Sequence, residues 1–345
     1  LLKVFPSGTL SVKPGEFAEG TPLKRLIIAA LAVAALSQRP VAVLAQGFPD
    51  HAIKIVVPNG PGGGADLAAR VMADAMSKIL GQSVIVENKV GSGSLVGTDY
   101  VARAAPDGYT LALAGTSNLA LNLGLYPKLP YDPIKDFASV GLVVTWPFVL
   151  VARKDFPQKS LADIIDFAKA NQGKVTYASA GIGTGQHIAS ALTAYSAGVS
   201  MTHVPYGSAQ AAYPDVISGR VDLFFDNVST TLAQVRGGAV RPIAVSSAKR
   251  YPVLPDLPTV NESGKATLDM TTWFGLFAPS ATPKPVLDKL RDAVDKARSL
   301  PEMVKFFEGT GGEMNTMSPA ETEAFVKSEA TRWTKQLRDA SITAQ

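Results

Sequence analysis

The segment Ile53-Lys-Ile-Val-Val-Pro-Asn-Gly-Pro-Gly-Gly-Gly-Ala-Asp-Leu-Ala-Ala-Arg70 constrains the fold more than any other. A buried-strand pattern runs into a turn with glycines at 60, 62, 63 and 64, and an amphipathic helix follows. Glycines at a helix entrance leave the backbone uncovered where the first-turn N–H groups lack partners, which is the geometry that receives an anion. A second strand–glycine-turn–helix element, Ser179-Ala-Gly-Ile-Gly-Thr-Gly-Gln-His187, repeats the design with hydroxyls at Ser179 and Thr184. Two such turns facing each other could hold one anionic group from both sides. A tight turn without a ligand is the alternative, and packing or capping is the alternative for His187.

Where the chain works is read from its N-terminal region. Lys24-Arg25 precedes the apolar run Leu26–Leu36, and Val43-Leu-Ala45 supplies small residues before an expected cleavage after Ala45. The run is about half the roughly 20 residues that a membrane span needs, so it reads as a secretory signal. Residues 1–22 precede an ordinary n-region; an early start and a genuine extension both fit. Removing 1–45 takes away five of the 33 basic and two of the 29 acidic residues, leaving 28 against 27 and a net charge of +1. Without a basic block, nucleic acid and anionic membrane surfaces are not expected partners. Cysteine is absent, which excludes disulfides, thiolate metal sites and a cysteine nucleophile.

About 300 remaining residues suit two domains. Short apolar strands at 53–57, 83–87, 110–114, 140–144, 175–178, 223–225 and 242–246 alternate with helices, the pattern of an α/β chain with a mainly parallel sheet. Ala68, Met72, Ala75, Met76 and Ile79 give the first helix one apolar face, and Gly81 stops it. Phe148–Asp155 and Trp273–Pro279 read as two crossing strands. They divide the chain into a discontinuous first domain, 47–149 plus 273–345, and an inserted second domain, 150–272. Ser160 and Ser318 are expected helix N-caps, the latter in a capping box with Glu321, and Thr282-Pro283 is expected to start a helix as N-cap and N1.

Gly60-Pro-Gly62-Gly-Gly-Ala65 formally satisfies a dinucleotide fingerprint, with Glu87 about 20 residues on. Pro61 inside the turn, Asp66 beside the expected phosphates and export from the cytoplasm argue against it, so no cofactor is expected. Asp66 either contacts ligand or complements its own helix N-terminus, and Arg70 is expected to pair with it at i, i+4. A side chain at Gly63 or Gly64 is expected to obstruct the anion. Polar loops recur just beyond strand ends at Thr116-Ser-Asn118, Tyr206-Gly-Ser208 and Asp226-Asn227, where α/β sheets bind ligands. His51, His187 and His203 are the only histidines, no hydrolase elbow or metal-ligand spacing occurs, and neither catalysis nor a metal site is expected.

Pro58-x-Gly-x-Gly-Gly-Gly-x-Asp66, Ala69-Arg70, Val86-Glu-Asn-Lys89 with Gly91, Ala105–Thr110, His203–Tyr206, Gly219-x-Val-Asp222, Leu257-Pro-Thr259 and Trp273-x-Gly275 together resemble the tripartite tricarboxylate transporter receptors, the Bug family. The resemblance covers nearly all of the mature chain. It implies a two-lobed periplasmic-binding-protein type II (Venus flytrap) fold, two α/β domains joined by two crossing strands. It also implies a monomeric periplasmic solute receptor that takes a small organic carboxylate to membrane permease subunits, with an exported enzyme or a ligand sensor as the alternatives. Carried onto this chain, the first grip is Pro58, Asn59, Gly60, Gly63, Gly64 and Asp66 with Ser117 beside it. The second is Ser179, Gly183, Thr184 and His187, with Tyr206 and Asp226 lining the cleft. Asn59 stands where the family usually has an aromatic and Val90 where proline is common. Trp146, Phe148 and Trp273 are candidates for either cleft or hinge packing.

Overall fold

Residues 47–91 and 93–344 are described by a computed structural model; the expected signal segment and its cleavage site lie outside them. From Phe48 onward the chain forms one unit. β1 (Ile53–Val57) passes through the glycine turn into α1 (Gly64–Leu80), followed by β2 (Val84–Asn88), α2 (Leu95–Ala102) and β3 (Thr110–Gly115). A π-helical turn, Thr116–Leu121, runs into the single turn α3 (Asn122–Leu125) and on to β4 (Phe137–Arg153). Then come α4 (Leu161–Ala170), β5 (Thr176–Ser179), α5 (Gly185–Ala197), β6 (Thr202–Pro205), α6 (Ala209–Ile217), β7 (Leu223–Asn227), α7 (Val228–Arg236) and β8 (Val240–Val245). The chain returns through β9 (Thr271–Pro279) and ends in α8 (Lys284–Arg298), α9 (Pro301–Gly309), β10 (Glu313–Met314) and α10 (Pro319–Asp339).

Strand order is β2-β1-β3-β9-β4-β7-β5-β6, with β8 and β10 also paired to β4. The wings β2-β1-β3 and β7-β5-β6 are parallel, whereas β9 runs antiparallel to β3 and β4, and β4 antiparallel to β7 and β8. The expectation of a mainly parallel sheet therefore holds for the wings and fails at the centre. The reason is that the crossing strands carry the chain from one wing to the other and back, in opposite directions.

β4 also corrects the reading of 140–144 and 148–155 as separate strands. Proline restricts the residue before it to extended backbone, so Trp146-Pro147 continues the strand instead of turning it. Up to Pro147 the strand pairs with β9, and from Phe148 onward with β7 and β8. Proline has no N–H to give, and the next amide, Phe148, donates 2.8 Å to Ser246 Oγ. Trp146 and Trp273 are wholly buried beside this crossing. Trp146 packs edge-on against Phe274 and tilted against Phe307, and Trp273 edge-on against Phe325; both are packing residues outside the cavity lining.

Alternation along the strands builds a core on each face of the sheet. Ile55, Val57, Leu111 and Leu113 face one, Val56, Ala112 and Ala114 the other. On α1 the apolar face is Ala68, Ala69, Met72, Ala75 and Met76, all buried, and Gly81 ends the helix at φ +68°. Ser318 with Glu321 forms the expected capping box, and Ser160, an expected N-cap, forms one with Asp163 as well. Thr282 does not cap α8. Its hydroxyl donates to Pro279 O, 2.7 Å away, and Pro283 takes the N-cap position with Pro285 inside the first turn.

Candidate functional site

The ends of β1, β3, β5, β6 and β7 open onto one cavity of about 550 Å³. Its wall on one side is Pro58, Asn59, Gly60, Gly63 and Gly64 after β1, with Ser94 and Ser117; on the other it is Gly181 to Gln186 without Gly183, then Tyr206 to Ala209 and Asn227. Phe148, Thr272 and Phe274 from the crossing strands form its floor. Of the thirteen residues expected from the sequence, Pro58, Asn59, Gly60, Gly63, Gly64, Ser117, Thr184 and Tyr206 line this cavity.

Asp66, Ser179, Gly183, His187 and Asp226 do not; each stands behind the wall and shapes it. Asp66 turns back under the glycine turn. Its Oδ2 accepts from Gly62 N–H and Arg70 Nε, both 2.9 Å, and its Oδ1 from Asn88 Nδ2 at 2.9 Å. Burial alone would push this carboxyl up, but the bonds from Arg70, Gly62 and Asn88 prevail and hold it below the usual range. Arg70 pairs with Asp66 as expected and half its side chain is in solvent. Asn88 also donates to Asn59 O, and Asn59 Nδ2 donates to Ser94 Oγ at 3.1 Å, tying the two turns of this wall together. Where the family pattern would place an aromatic ring, the chain has a polar brace.

The opposite wall has a stacked aromatic support. The rings of Tyr177, His203 and His187 follow one another, with centroids 5.0 and 4.2 Å apart. Ser179 Oγ lies 2.6 Å from His203 Nε2, and Gly183 N–H donates to His187 Nδ1 at 3.3 Å. Burial and then the neighbouring His203 bring His187 down to about 3; burial brings His203 to about 4. Both rings are therefore neutral at ordinary pH, as the acceptor role of His187 Nδ1 requires. Asp226 is fully buried and accepts from Tyr213 Oη at 2.9 Å, Gln186 Nε2 at 3.3 Å and Thr230 Oγ1. Burial raises its pKa despite these bonds. Tyr206 offers the cavity its ring, because its hydroxyl is held by Asp215 at 2.6 Å.

The walls touch across the cleft. Gly185 N–H donates to Ser117 Oγ at 3.1 Å, and Gln210 Nε2 to Gly62 O at 2.7 Å. At Gly60 a Cβ would lie 2.8 Å from Ser208 Cβ and 3.1 Å from Gly207 O, and at Gly64 2.9 Å from Asn227 Nδ2. Gly63, by contrast, would bring its Cβ no nearer than 3.9 Å to anything but its own neighbours. A side chain would thus crowd the opposite wall at Gly60 and Gly64 but not at Gly63.

Among the described residues no Asp, Glu, Lys, Arg or His lines the cavity. What it receives are helix N-termini: α1, α5, α6 and α7 all start at its wall, and Ser94 is the N-cap of α2. Of these, α1, α2, α5 and α7 have no N-cap side-chain hydrogen bond, whereas Ser208 caps α6. Apart from Gly185 N–H, which donates to Ser117 Oγ, the uncapped first turns leave N–H donors for an occupant, and their aligned dipoles favour negative charge. Among the described residues no group of three or more His, Cys, Asp and Glu could hold a metal ion.

Residues 68–341 match the model of the tripartite tricarboxylate transporter family receptor. The chain belongs to this receptor family. Its fold is the type II periplasmic-binding fold, two α/β lobes joined by crossing strands. The receptor is similar to the periplasmic binding protein BugD, at 36% identity and a TM-score of 0.82 over 86% of this chain and 100% of that one. A protein of R. palustris, solved with adipate, is 31% identical with a TM-score of 0.82, over 86% and 99% of the two chains. MatC from Rhodopseudomonas palustris, with bound malate, is 32% identical with a TM-score of 0.81, over 84% and 100%.

Several lining residues were missed by sequence reasoning. Ser208, Asn118 and Asn227 lie in polar loops that the strand-end rule picked out, but nothing in sequence ranked them above their neighbours. Gln186 lies in the second glycine turn beside His187, and Tyr126, Thr272 and Phe274 carried no signal, since each owes its place to packing between distant segments.

Proposed function

We propose that the receptor binds a small organic carboxylate in this cavity, in the periplasm and as a monomer, and delivers it to membrane permease subunits. The observation that carries the reading is the convergence of uncapped helix N-termini on a cavity without a charged side chain. Fixed N–H dipoles in a desolvated cleft stabilise a carboxylate without the desolvation penalty of a buried guanidinium, and release stays possible. The bound adipate and malate of the two relatives support the same class of ligand. Residues 47–149 with 273–345, and residues 150–272, act as the two closing units, hinged where β4 and β9 cross. A receptor, not a catalyst, fits this design: among the described residues of the wall no nucleophile stands beside a base.

A ligand present at 100 times its Kd stabilises the folded state by about 2.7 kcal/mol, which for a chain of this size raises Tm by about 4 °C. A screen of mono-, di-, tri- and aromatic carboxylates on ligand-stripped protein should find such a shift, and the matching amides and esters should give far less. No shift from any carboxylate at millimolar concentration would refute the reading.

Closure has its own test in Gln210, whose exposed side chain bridges from α6 to the glycine turn. A hydrogen bond of this kind is worth about 1 kcal/mol net. Gln210→Ala should therefore weaken ligand binding about five-fold, expressed as faster dissociation in stopped-flow measurements. An unchanged off-rate would remove Gln210 from the closing mechanism.

A further inference from the structure

Asn227 ends β7 and occupies the N-cap position of α7, yet its side chain caps nothing. It is only 5% exposed, it lines the cavity, and its Oδ1 has no hydrogen-bond partner among the described residues. The β4–β7 register places it opposite Phe148, on the cavity floor. From the other wall Gly64 comes so close that a Cβ there would be 2.9 Å from Asn227 Nδ2 and 3.1 Å from Ser229 Oγ, another buried atom without a partner. Asparagine is among the best N-cap residues because its oxygen accepts a first-turn N–H. Here that bond is forgone, and the buried Oδ1 is left without a donor among the described residues, which a native interior rarely tolerates unless something else supplies the partner.

We infer that Asn227 reads a hydroxyl group on the carbon skeleton of the ligand, so that the receptor selects hydroxycarboxylates over unsubstituted carboxylates of the same length. The inference rests on the carboxylate reading of the cavity. A carboxylate oxygen only accepts, so it could satisfy Nδ2 and leave Oδ1 unpaired. An alkyl chain would satisfy neither. An ammonium group could donate to Oδ1, but no acidic side chain lines the cavity to balance its charge, because Asp66 and Asp226 are turned away and already bonded. A hydroxyl donates and accepts through one oxygen and answers both halves of the amide. Sites that hydrogen-bond a substrate hydroxyl reject the analogue lacking it far more strongly than apolar pockets reject an added one.

The test is calorimetric titration with length-matched pairs, succinate with malate and glutarate with its 2- and 3-hydroxy derivatives, plus aspartate, against the wild-type receptor, Asn227→Leu and Asn227→Ser. Wild type should bind the better hydroxylated member of a pair at least ten-fold more tightly than the plain diacid, and more tightly than aspartate. Asn227→Leu should bring each pair within about three-fold, and Asn227→Ser, which keeps a donor and an acceptor, should retain part of the preference. Equal binding of the paired acids by wild type, tighter binding of aspartate, or a preference that survives Asn227→Leu would overturn the inference and leave the carboxylate reading standing. Should Asn227→Leu fail to fold, the wild-type pairs and the serine variant decide alone. Failure of every acid to bind would overturn both.

Discussion

Gly60→Val is expected to abolish ligand capture, lowering affinity by more than 100-fold, about 2.7 kcal/mol, in a protein that remains folded. The first branch of the new side chain would meet Ser208 Cβ and the backbone oxygen of Gly207, atoms of the opposite wall that cannot step aside as a flexible side-chain end could. The glycine turn itself has no comparable obstruction at this position, so the damage falls on the approach of the two walls. Gly63→Ala, whose Cβ points into open space, should bind within about three-fold of wild type. Arg70→Ala removes a half-exposed partner of Asp66 that is not part of the wall, and it should cost a similarly small factor. Calorimetric titration of the three variants, each first shown to have a native circular dichroism spectrum, separates the mechanisms. Normal binding by Gly60→Val together with failure of Arg70→Ala would mean that a charge pair, and not the backbone, holds the anion.

Stability should fall steeply between pH 6.5 and pH 5. His187 is brought to about 3 in the folded state and His203 to about 4, while both titrate near 6.5 when unfolded. Above pH 6.5 neither state binds the protons and the histidines cost nothing. Below it the unfolded chain takes up protons that the folded one refuses, so stability is lost at up to about 1.4 kcal/mol per pH unit for each ring. For buried His187 that is about 2 kcal/mol at pH 5, with a smaller share from half-buried His203. Carboxylates with lowered pKa values contribute only below about pH 4, where their unfolded counterparts protonate, whereas Asp226, raised by burial, opposes the histidine slope, so the histidine share is read from the difference between wild type and His187→Gln. Urea unfolding at half-unit steps of pH should show this slope in wild type and a flatter one in His187→Gln. A slope unchanged by that substitution would place the acid sensitivity elsewhere.

Much of this architecture is legible in the sequence because the apolar runs are short, separated by glycine and helix-forming stretches, and α1, α4 and α10 carry their own boundary signals. What escaped was the continuity of β4. Its Trp-Pro step looks like a break, and only the presence of β9 on one half and β7 and β8 on the other shows that it is a strand changing partners. The cavity was half legible for a different reason. Sequence located the loops, but a loop does not reveal which of its side chains turns inward. Along β7 adjacent residues point to opposite faces, so choosing Asp226 over Asn227 chose the core instead of the cavity. At the start of α5 the same difficulty separates His187 from Gln186, one step and about 100° apart around the helix axis. Ser179 and Asp66 have the chemistry of ligand contacts and spend it on His203 and on the glycine turn. Each is a short polar side chain beside a glycine turn, and such turns need internal braces as much as they need donors for an occupant.

The uncharged lining of the cavity sets how the receptor faces its surroundings. In the periplasm proposed for the receptor, acidity and ionic strength follow the medium that bathes the cell. A binding wall made of peptide dipoles has no proton of its own to gain or lose, and dipoles fixed inside a closed cleft are poorly reached by mobile salt. Recognition is thereby insulated from the environment. Changes outside act on the solute's own ionisation and on the histidine-supported frame behind the wall, while the wall presents the same face throughout.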